Sequence, residues 1–287
     1  MLNRLTVLSQ YLIPKQAITA FTGYIASYRG GVLTSRAINW FVQRYGVDMD
    51  EAANSDIHSY ASFNDFFTRA LKPGARPIAK SDLICPVDGA ISQFGKIRKD
   101  QIFQAKGHEY SINALVGGHC ALAEQFLDGC FATLYLSPRD YHRIHMPCPG
   151  RLVQMIYIPG SLFSVNPSTA RAIPGLFARN ERIVCVFESA NKFFLLVLVG
   201  ATIVGSMATV WHGRVNPPRP GQIRQWEYAD QNIALKQGEE MGRFLLGSTV
   251  VMVFPASGVF EHLKFNPQWS AGKTIKVGES MANTRAG

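Results

Sequence analysis

The sequence predicts an α+β fold, a helical N-terminal region packed on a mainly antiparallel β core. Three observations point there. Up to about residue 71, apolar residues recur at helical spacing, as in Leu5, Leu8 and Leu12 or Ile18, Phe21 and Ile25. From about Pro86 onward, short apolar runs alternate with Gly, Pro, Asn and Asp, the texture of strands and turns. Of 287 residues, 47% are hydrophobic and 17% charged, enough apolar material for a large core and far from a disordered composition.

Taken in order, the first helical stretch carries Leu5, Leu8 and Leu12, and the second Ile18, Phe21 and Ile25. Ala37-Ile38-Asn39-Trp40-Phe41-Val42 continues the pattern before Gly46. Residues 62–71 read as a further helix, striped by Phe63, Phe66, Phe67 and Leu71 and ended by the turn signal Lys72-Pro73-Gly74. Residues 1–80 thus form a helical, basic region and 81–287 a β-rich core. Within that core the runs 90–94, 131–136, 152–158, 183–187 and 250–254 read as strands. Residues 193–211 carry no charge over nearly the ~20 residues a membrane span needs. Gly200, Thr202, Gly205, Ser206 and Thr209 interrupt them, so two buried strands around a glycine bend are the reading. The first residues lack a secretory apolar core and a small-residue cleavage site.

The balance of 29 basic against 20 acidic residues gives a net charge of +9 and an anionic partner: nucleic acid, acidic membrane or acidic substrate. Residues 1–47 hold Arg4, Lys15, Arg29, Arg36 and Arg44 and no acid. Basic helices with an apolar face read as binders of anionic membrane surfaces, the alternative being that this face packs on the protein's own core. No zinc-finger, RNP or helix-turn-helix signature accompanies the charge, so nucleic acid is not expected. Cys85, Cys120, Cys130, Cys148 and Cys185 are odd in number and form no C-x-x-C pair, as for buried free thiols in a reducing cytosol.

Four sites bear chemistry. Pro86-Val87-Asp88-Gly89 holds an acid in a turn. Residues 137–147 place His142 and His145 three apart after a strand. Residues 160–166 form a small-residue loop. Met241-Gly242-Arg243-Phe244-Leu245-Leu246-Gly247-Ser248-Thr249 leads into an apolar strand. Each has a bland alternative: Asp-Gly is a common turn, and a Gly-Ser-Thr before a strand often no more than one. Two histidines need further ligands, and His108, His119 and Cys148 stand at no recognisable spacing, so no metal is expected. An Asp, a His and a Ser together can also form a charge-relay set, though no Gly-x-Ser-x-Gly elbow is present.

With Phe63-Asn64-Asp65-Phe66-Phe67, Arg76-Pro77-Ile78, Phe177-Ala178-Arg179-Asn180-Glu181-Arg182 and residues 199–206, these sites resemble the phosphatidylserine decarboxylases of the bacterial membrane-associated type. The resemblance covers nearly the whole chain; the tail 260–287 is not matched residue by residue. It implies a proenzyme whose β core holds a self-cleavage site between Gly247 and Ser248. Cleavage yields a β chain, 1–247, and an α chain, 248–287, that stay together as a heterodimer. Ser248 attacks the Gly247 carbonyl, His145 accepts its proton, and Asp88 orients His145. Elimination and loss of ammonia then turn Ser248 into a pyruvoyl group, a covalent cofactor. That group forms a Schiff base with phosphatidylserine, which loses carbon dioxide to give phosphatidylethanolamine. His142 is the candidate general acid, with His145 second. An anionic lipid substrate implies a peripheral protein on the cytoplasmic face of the cell membrane, docked by its basic N-terminal region. Two other readings stay open: a serine hydrolase using Ser248, His145 and Asp88 on an external ester or peptide, and a non-enzymatic membrane-binding scaffold. The hydrolase needs its serine intact, whereas the decarboxylase needs it destroyed.

Overall fold

Two helices lead the chain in the computed structural model, which describes residues 15–202, 206–215, 221–245 and 249–284: α1 (Lys15–Ser27) and α2 (Val32–Tyr45). The face expected at Leu5, Leu8 and Leu12 lies outside the described residues. Helix α2 stops where Gly46 takes a left-handed conformation and its N–H caps the Val42 carbonyl. Ser62 caps the N-terminus of α3 (Phe63–Phe67), accepting from the Asp65 N–H. This helix is shorter than the sequence spacing predicts. Beyond Thr68 the Ala70 carbonyl accepts from the Ala53 N–H, the Lys72 N–H donates to the Glu51 carbonyl, and Leu71 bridges Ala52, so these groups pair across to residues 51–53 instead of along a helix.

The β core follows as β1 (Leu83–Ile84), β2 (Gly89–Lys96), β3 (Gln101–Ala105), β4 (His108–Ser111), β5 (Cys130–Tyr135), β6 (Arg143–His145), β7 (Gly150–Ile158), β8 (Arg182–Ser189) and β9 (Lys192–Val199). The remaining strands are β10 (Met207–Thr209), β11 (Gly213–Arg214), β12 (Arg224–Glu227), β13 (Ala234–Leu235), β14 (Glu240–Phe244), β15 (Thr249–Phe254), β16 (Lys264–Phe265), β17 (Thr274–Ile275) and β18 (Ser280–Asn283). A nine-stranded antiparallel sheet runs β12-β7-β8-β9-β15-β5-β2-β17, with β13 also on β7. A four-stranded sheet runs β11-β10-β14-β6, and β1-β18-β16 makes a third.

The central strands are apolar over most of their length because both their faces are covered. In β15, Val250, Met252 and Phe254 join one core cluster, with Leu196 and Phe187, while Val251 and Val253 join the other, with Phe126 and Phe177. The uncharged run 193–211 enters this pattern: its first half lies in β9, which ends at Val199 just before Gly200, and β10 lies in the four-stranded sheet. No helix of the described residues is long and apolar enough to cross a membrane. The tail is structured by pairing, since β18 lies between β1 and β16 while β17 pairs with β2. The helical region has a smaller cluster of its own, Ile38, Phe41, Val47, Phe66 and Phe67, and Phe67 lies against His142 of the β core. Four of the cysteines are buried, whereas Cys120 is exposed; all are free.

Candidate active site

The chain passes from the four-stranded to the nine-stranded sheet between β14 and β15. On the near side, the Leu245 N–H donates to the Ser206 carbonyl at 3.0 Å. On the far side, Thr249 is fully buried and paired with Tyr135 of β5 and Val199 of β9. Leu246 and the expected cleavage pair Gly247 and Ser248 lie between these anchors, outside the described residues.

Three of the four motifs converge on this crossing. Tyr135, which faces Thr249, also faces Ala90 of β2, so Asp88 stands at the same end of β5 as Thr249. Only glycine fits at 89, because a Cβ there would lie 2.2 Å from the Tyr135 carbonyl oxygen. The His145 N–H donates to the Pro86 carbonyl at 2.8 Å, and the Phe244 N–H to the His142 carbonyl at 3.0 Å. The loop 160–166 serves as a brace. Asn180, fully buried, accepts from the Phe163 N–H and donates to the carbonyls of Phe163 and Gly200, fixing the chain just beyond Val199.

The two histidines have different surroundings. His142 is fully buried and lies against Phe67, with ring centroids 4.0 Å apart and the planes tilted by 37°. Its Nδ1 lies 2.7 Å from the Asp140 carbonyl oxygen. A carbonyl only accepts, so Nδ1 carries the hydrogen and Nε2 keeps a lone pair. That Nε2 is buried with no partner among the described residues. Burial pushes the ring's pKa down to about 3, so it is neutral at pH 7. The Nδ1 of His145 donates to the Gly238 carbonyl at 2.7 Å, while its Nε2 lies 3.0 Å from the Tyr141 hydroxyl. Burial lowers its pKa; the Gly238 bond and the charges of Glu240 and Asp88 act in the opposite sense. Burial lifts the Tyr141 phenol to about 12, which keeps it protonated and a donor.

Asp88 is buried and held by Arg76, whose Nε lies 3.0 Å from Oδ1 and whose Nη2 lies 2.5 Å from Oδ2. The Val277 N–H donates to Oδ1 at 2.8 Å. Arg76 also meets Glu51 at 2.6 Å, and its hydrogen bond is the largest influence lowering the Glu51 carboxyl to about 2. Among the described residues Asp88 makes no hydrogen bond to His145; the Gly238 carbonyl fixes that ring's tautomer. Arg76 and Tyr141 stand inside motifs quoted above, yet nothing in their spacing assigns them these contacts. Gly238 acts through its main chain, which leaves no trace in residue type. Among the described residues no group of three or more His, Cys, Asp or Glu is placed to hold a metal ion.

A chain built this way has close relatives. The sequence model described as phosphatidylserine decarboxylase matches residues 63–283, and a second, described as PSD, matches residues 5–46. Proteins named phosphatidylserine decarboxylase proenzyme are 68% identical over 283 residues in Dechloromonas aromatica and 69% identical over 282 residues in Albidiferax ferrireducens. These alignments cover 99% of both chains in the first case and 98% of both in the second. A further relative of that name, from Herminiimonas arsenicoxydans, is 66% identical over 286 residues, covering 100% of this chain and 96% of its own. The chain belongs to the phosphatidylserine decarboxylase family.

Proposed function

We propose that this protein is a self-processing phosphatidylserine decarboxylase that converts phosphatidylserine to phosphatidylethanolamine, with a pyruvoyl group made from Ser248. One observation carries the reading: the Asp88 and His142/His145 motifs converge on the short crossing between Leu245 and Thr249.

In self-cleavage Ser248 Oγ attacks the Gly247 carbonyl carbon, the C–N bond breaks, and the amide becomes an ester. Elimination breaks the Cβ–O bond of residue 248 and frees the 1–247 carboxylate; water then replaces the nitrogen, which leaves as ammonia. His145 Nε2 is the acceptor for the serine proton, once Tyr141 yields that position, with Nδ1 locked by Gly238. Asp88 supports the resulting imidazolium by its charge while Arg76 holds its carboxylate in place.

The site suits such a group. Thr249, the residue after Ser248, is fully buried, and its Oγ1 and the Nε2 of His142 are both without a partner among the described residues. A ketone there supplies a sink for the electron pair left by departing carbon dioxide. Burial excludes the water that would compete for it. His142 is neutral, so before acting as an acid it must gain a proton. Its free Nε2 is the position from which a proton, once acquired, is delivered to the carbon that lost the carboxylate.

The helices present the docking face. Phe21, Tyr24, Val32, Leu33 and Trp40 are between 61% and 73% exposed, a density of apolar side chains unusual on a protein surface. Arg29 and Arg36 line a cleft of about 750 Å³ beside Val32. This combination fits the surface of an anionic bilayer and a peripheral position on the cytoplasmic face of the cell membrane. The hydrolase alternative has no support, because the relatives of this chain carry the decarboxylase name. Intact mass of purified protein, together with conversion of phosphatidylserine, tests the reading. Chains of 1–247 and 248–287, the smaller lacking a free amine, are expected; a single active chain overturns it.

A further inference from the structure

Thr249, the residue after 248, is fully buried, so on the decarboxylase reading above the headgroup brings its phosphate towards the interior. A buried phosphodiester needs a cation with free donors. Among the described residues three guanidinium side chains are largely buried: Arg69, Arg76 and Arg182. Arg182 donates to the carbonyls of Leu115, Asn180 and Ala114. Arg76 is committed to Asp88 and Glu51. Arg69 is different. It is 5% exposed, it takes part in no ion pair among the described residues, and its Nε has no partner among them. Among the described residues its one side-chain hydrogen bond is a long one, 3.3 Å from Nη2 to the Arg139 carbonyl. None of the segments outside the description contains an Asp or Glu.

Its position matches the need. The guanidinium lies 5.3 Å over Phe66, the neighbour of the Phe67 that lies against His142. Arg143 donates to the Thr68 carbonyl, binding this segment to the histidine motif. The Arg69 charge reaches His142, where it opposes protonation. The Arg69 charge also reaches Tyr60, which borders the cleft lined by Arg29 and Arg36.

We propose that Arg69 binds the phosphate of the phosphatidylserine headgroup, an inference that rests on the decarboxylase reading above. The headgroup carries two anions, and the chemistry separates them. A guanidinium paired with the carboxylate stabilises the charge that disappears as carbon dioxide leaves, and so favours the ground state. The phosphodiester keeps its charge throughout, so a cation on it anchors the ground and transition states alike. Such an anchor affects KM more than kcat.

The experiment compares wild type, Arg69→Gln and Arg69→Lys on detergent-solubilised phosphatidylserine. Both variants are expected to cleave themselves. Arg69→Gln raises KM roughly tenfold or more, the worth of a charge-assisted hydrogen bond, with kcat within about threefold. Arg69→Lys falls between. Glycerophosphoethanolamine, which has the phosphate and no carboxylate, inhibits wild type and loses about tenfold potency on Arg69→Gln, whereas inhibition by free serine is unchanged. Loss of serine inhibition with glycerophosphoethanolamine unaffected overturns the assignment in favour of the carboxylate. An unchanged KM in Arg69→Lys overturns it even if Arg69→Gln fails to fold. If wild type does not turn over phosphatidylserine, the decarboxylase reading falls; calorimetric binding of glycerophosphoethanolamine to wild type and Arg69→Lys then decides the phosphate site by itself.

Discussion

Arg76 grips the carboxylate of Asp88 through Nε and Nη2 inside the protein, where both side chains are 8% exposed. Removing one partner of a buried pair leaves an uncompensated charge, at a cost of about 3–5 kcal/mol. Arg76→Met is therefore expected to lower the unfolding free energy by several kcal/mol. Adding Asp88→Asn to it is expected to restore part of the loss. Denaturant melts in a Ser248→Ala background, where the chain stays whole, check both; additive single effects sink the argument.

Ser248→Ala removes the attacking oxygen and is expected to give one uncut, inactive chain. Ser248→Cys and Ser248→Thr keep a nucleophile and cleave slowly. His145→Ala and Asp88→Asn leave folded, largely uncut protein, while His142→Ala is cut and turns over poorly. The same uncut band for both histidine variants on a gel removes the division of labour between them.

The depressed pKa of His142 gives stability a pH dependence. Its folded pKa is about 3, against roughly 6.5 in the unfolded chain. Between those values the unfolded state binds a proton that the folded state refuses, so acid favours unfolding. Stability falls as pH drops below about 6.5, by at most ~1.4 kcal/mol per unit from this group. His142→Phe keeps a ring against Phe67 and removes the titration. Urea midpoints at pH 7 and pH 5 are expected to differ more in wild type than in the variant; equal differences contradict a neutral, buried His142.

Vesicle binding is expected to have a salt-sensitive and a salt-resistant part. Each basic residue near an anionic surface contributes about 1 kcal/mol, screened as salt rises. Arg29, Arg36 and Arg44 are exposed, so changing all three to Gln weakens low-salt binding and leaves turnover in detergent nearly unchanged. Phe21→Ser with Leu33→Ser removes the remainder that survives high salt. Trp40 reports insertion by a blue-shifted emission, and its absence on anionic vesicles rules out docking by this face.

After cleavage the two chains are expected to migrate together until denatured. Val250, Val251, Met252, Val253 and Phe254 of the short chain are fully buried between β5 and β9. Each such side chain stabilises by about 1.5–3 kcal/mol on burial. Size-exclusion chromatography followed by denaturing electrophoresis checks it; separate native peaks contradict the shared sheet.

Much of this was legible in the sequence. Strands such as β8, β9 and β15 announce themselves because a strand covered on both faces has a run of consecutive apolar residues, as in 183–187, 193–199 and 250–254. The helix at 62–71 was overdrawn because periodicity cannot register backbone pairing between residues 51–53 and 70–72. At the site, residue types marked Asp88, His142 and His145, but not who bonds whom. The ring orientation of His145 depends on a carbonyl from Gly238, 93 positions away. Arg76 intercepts Asp88 through a fold-level contact that no local spacing encodes.

The anchoring of Leu245 in one sheet and Thr249 in another bears on the order of events in the life of the chain. A reactive ketone is hazardous on a nascent polypeptide, where any lysine in the cell can reach it. If the scissile bond is activated only when both sheets have formed around it, ribosomal synthesis and folding proceed with an inert serine. On the proposed reading, the hazardous group is then created afterwards, within walls already built. Maturation then doubles as a proofreading step: a misassembled copy remains a harmless single polypeptide.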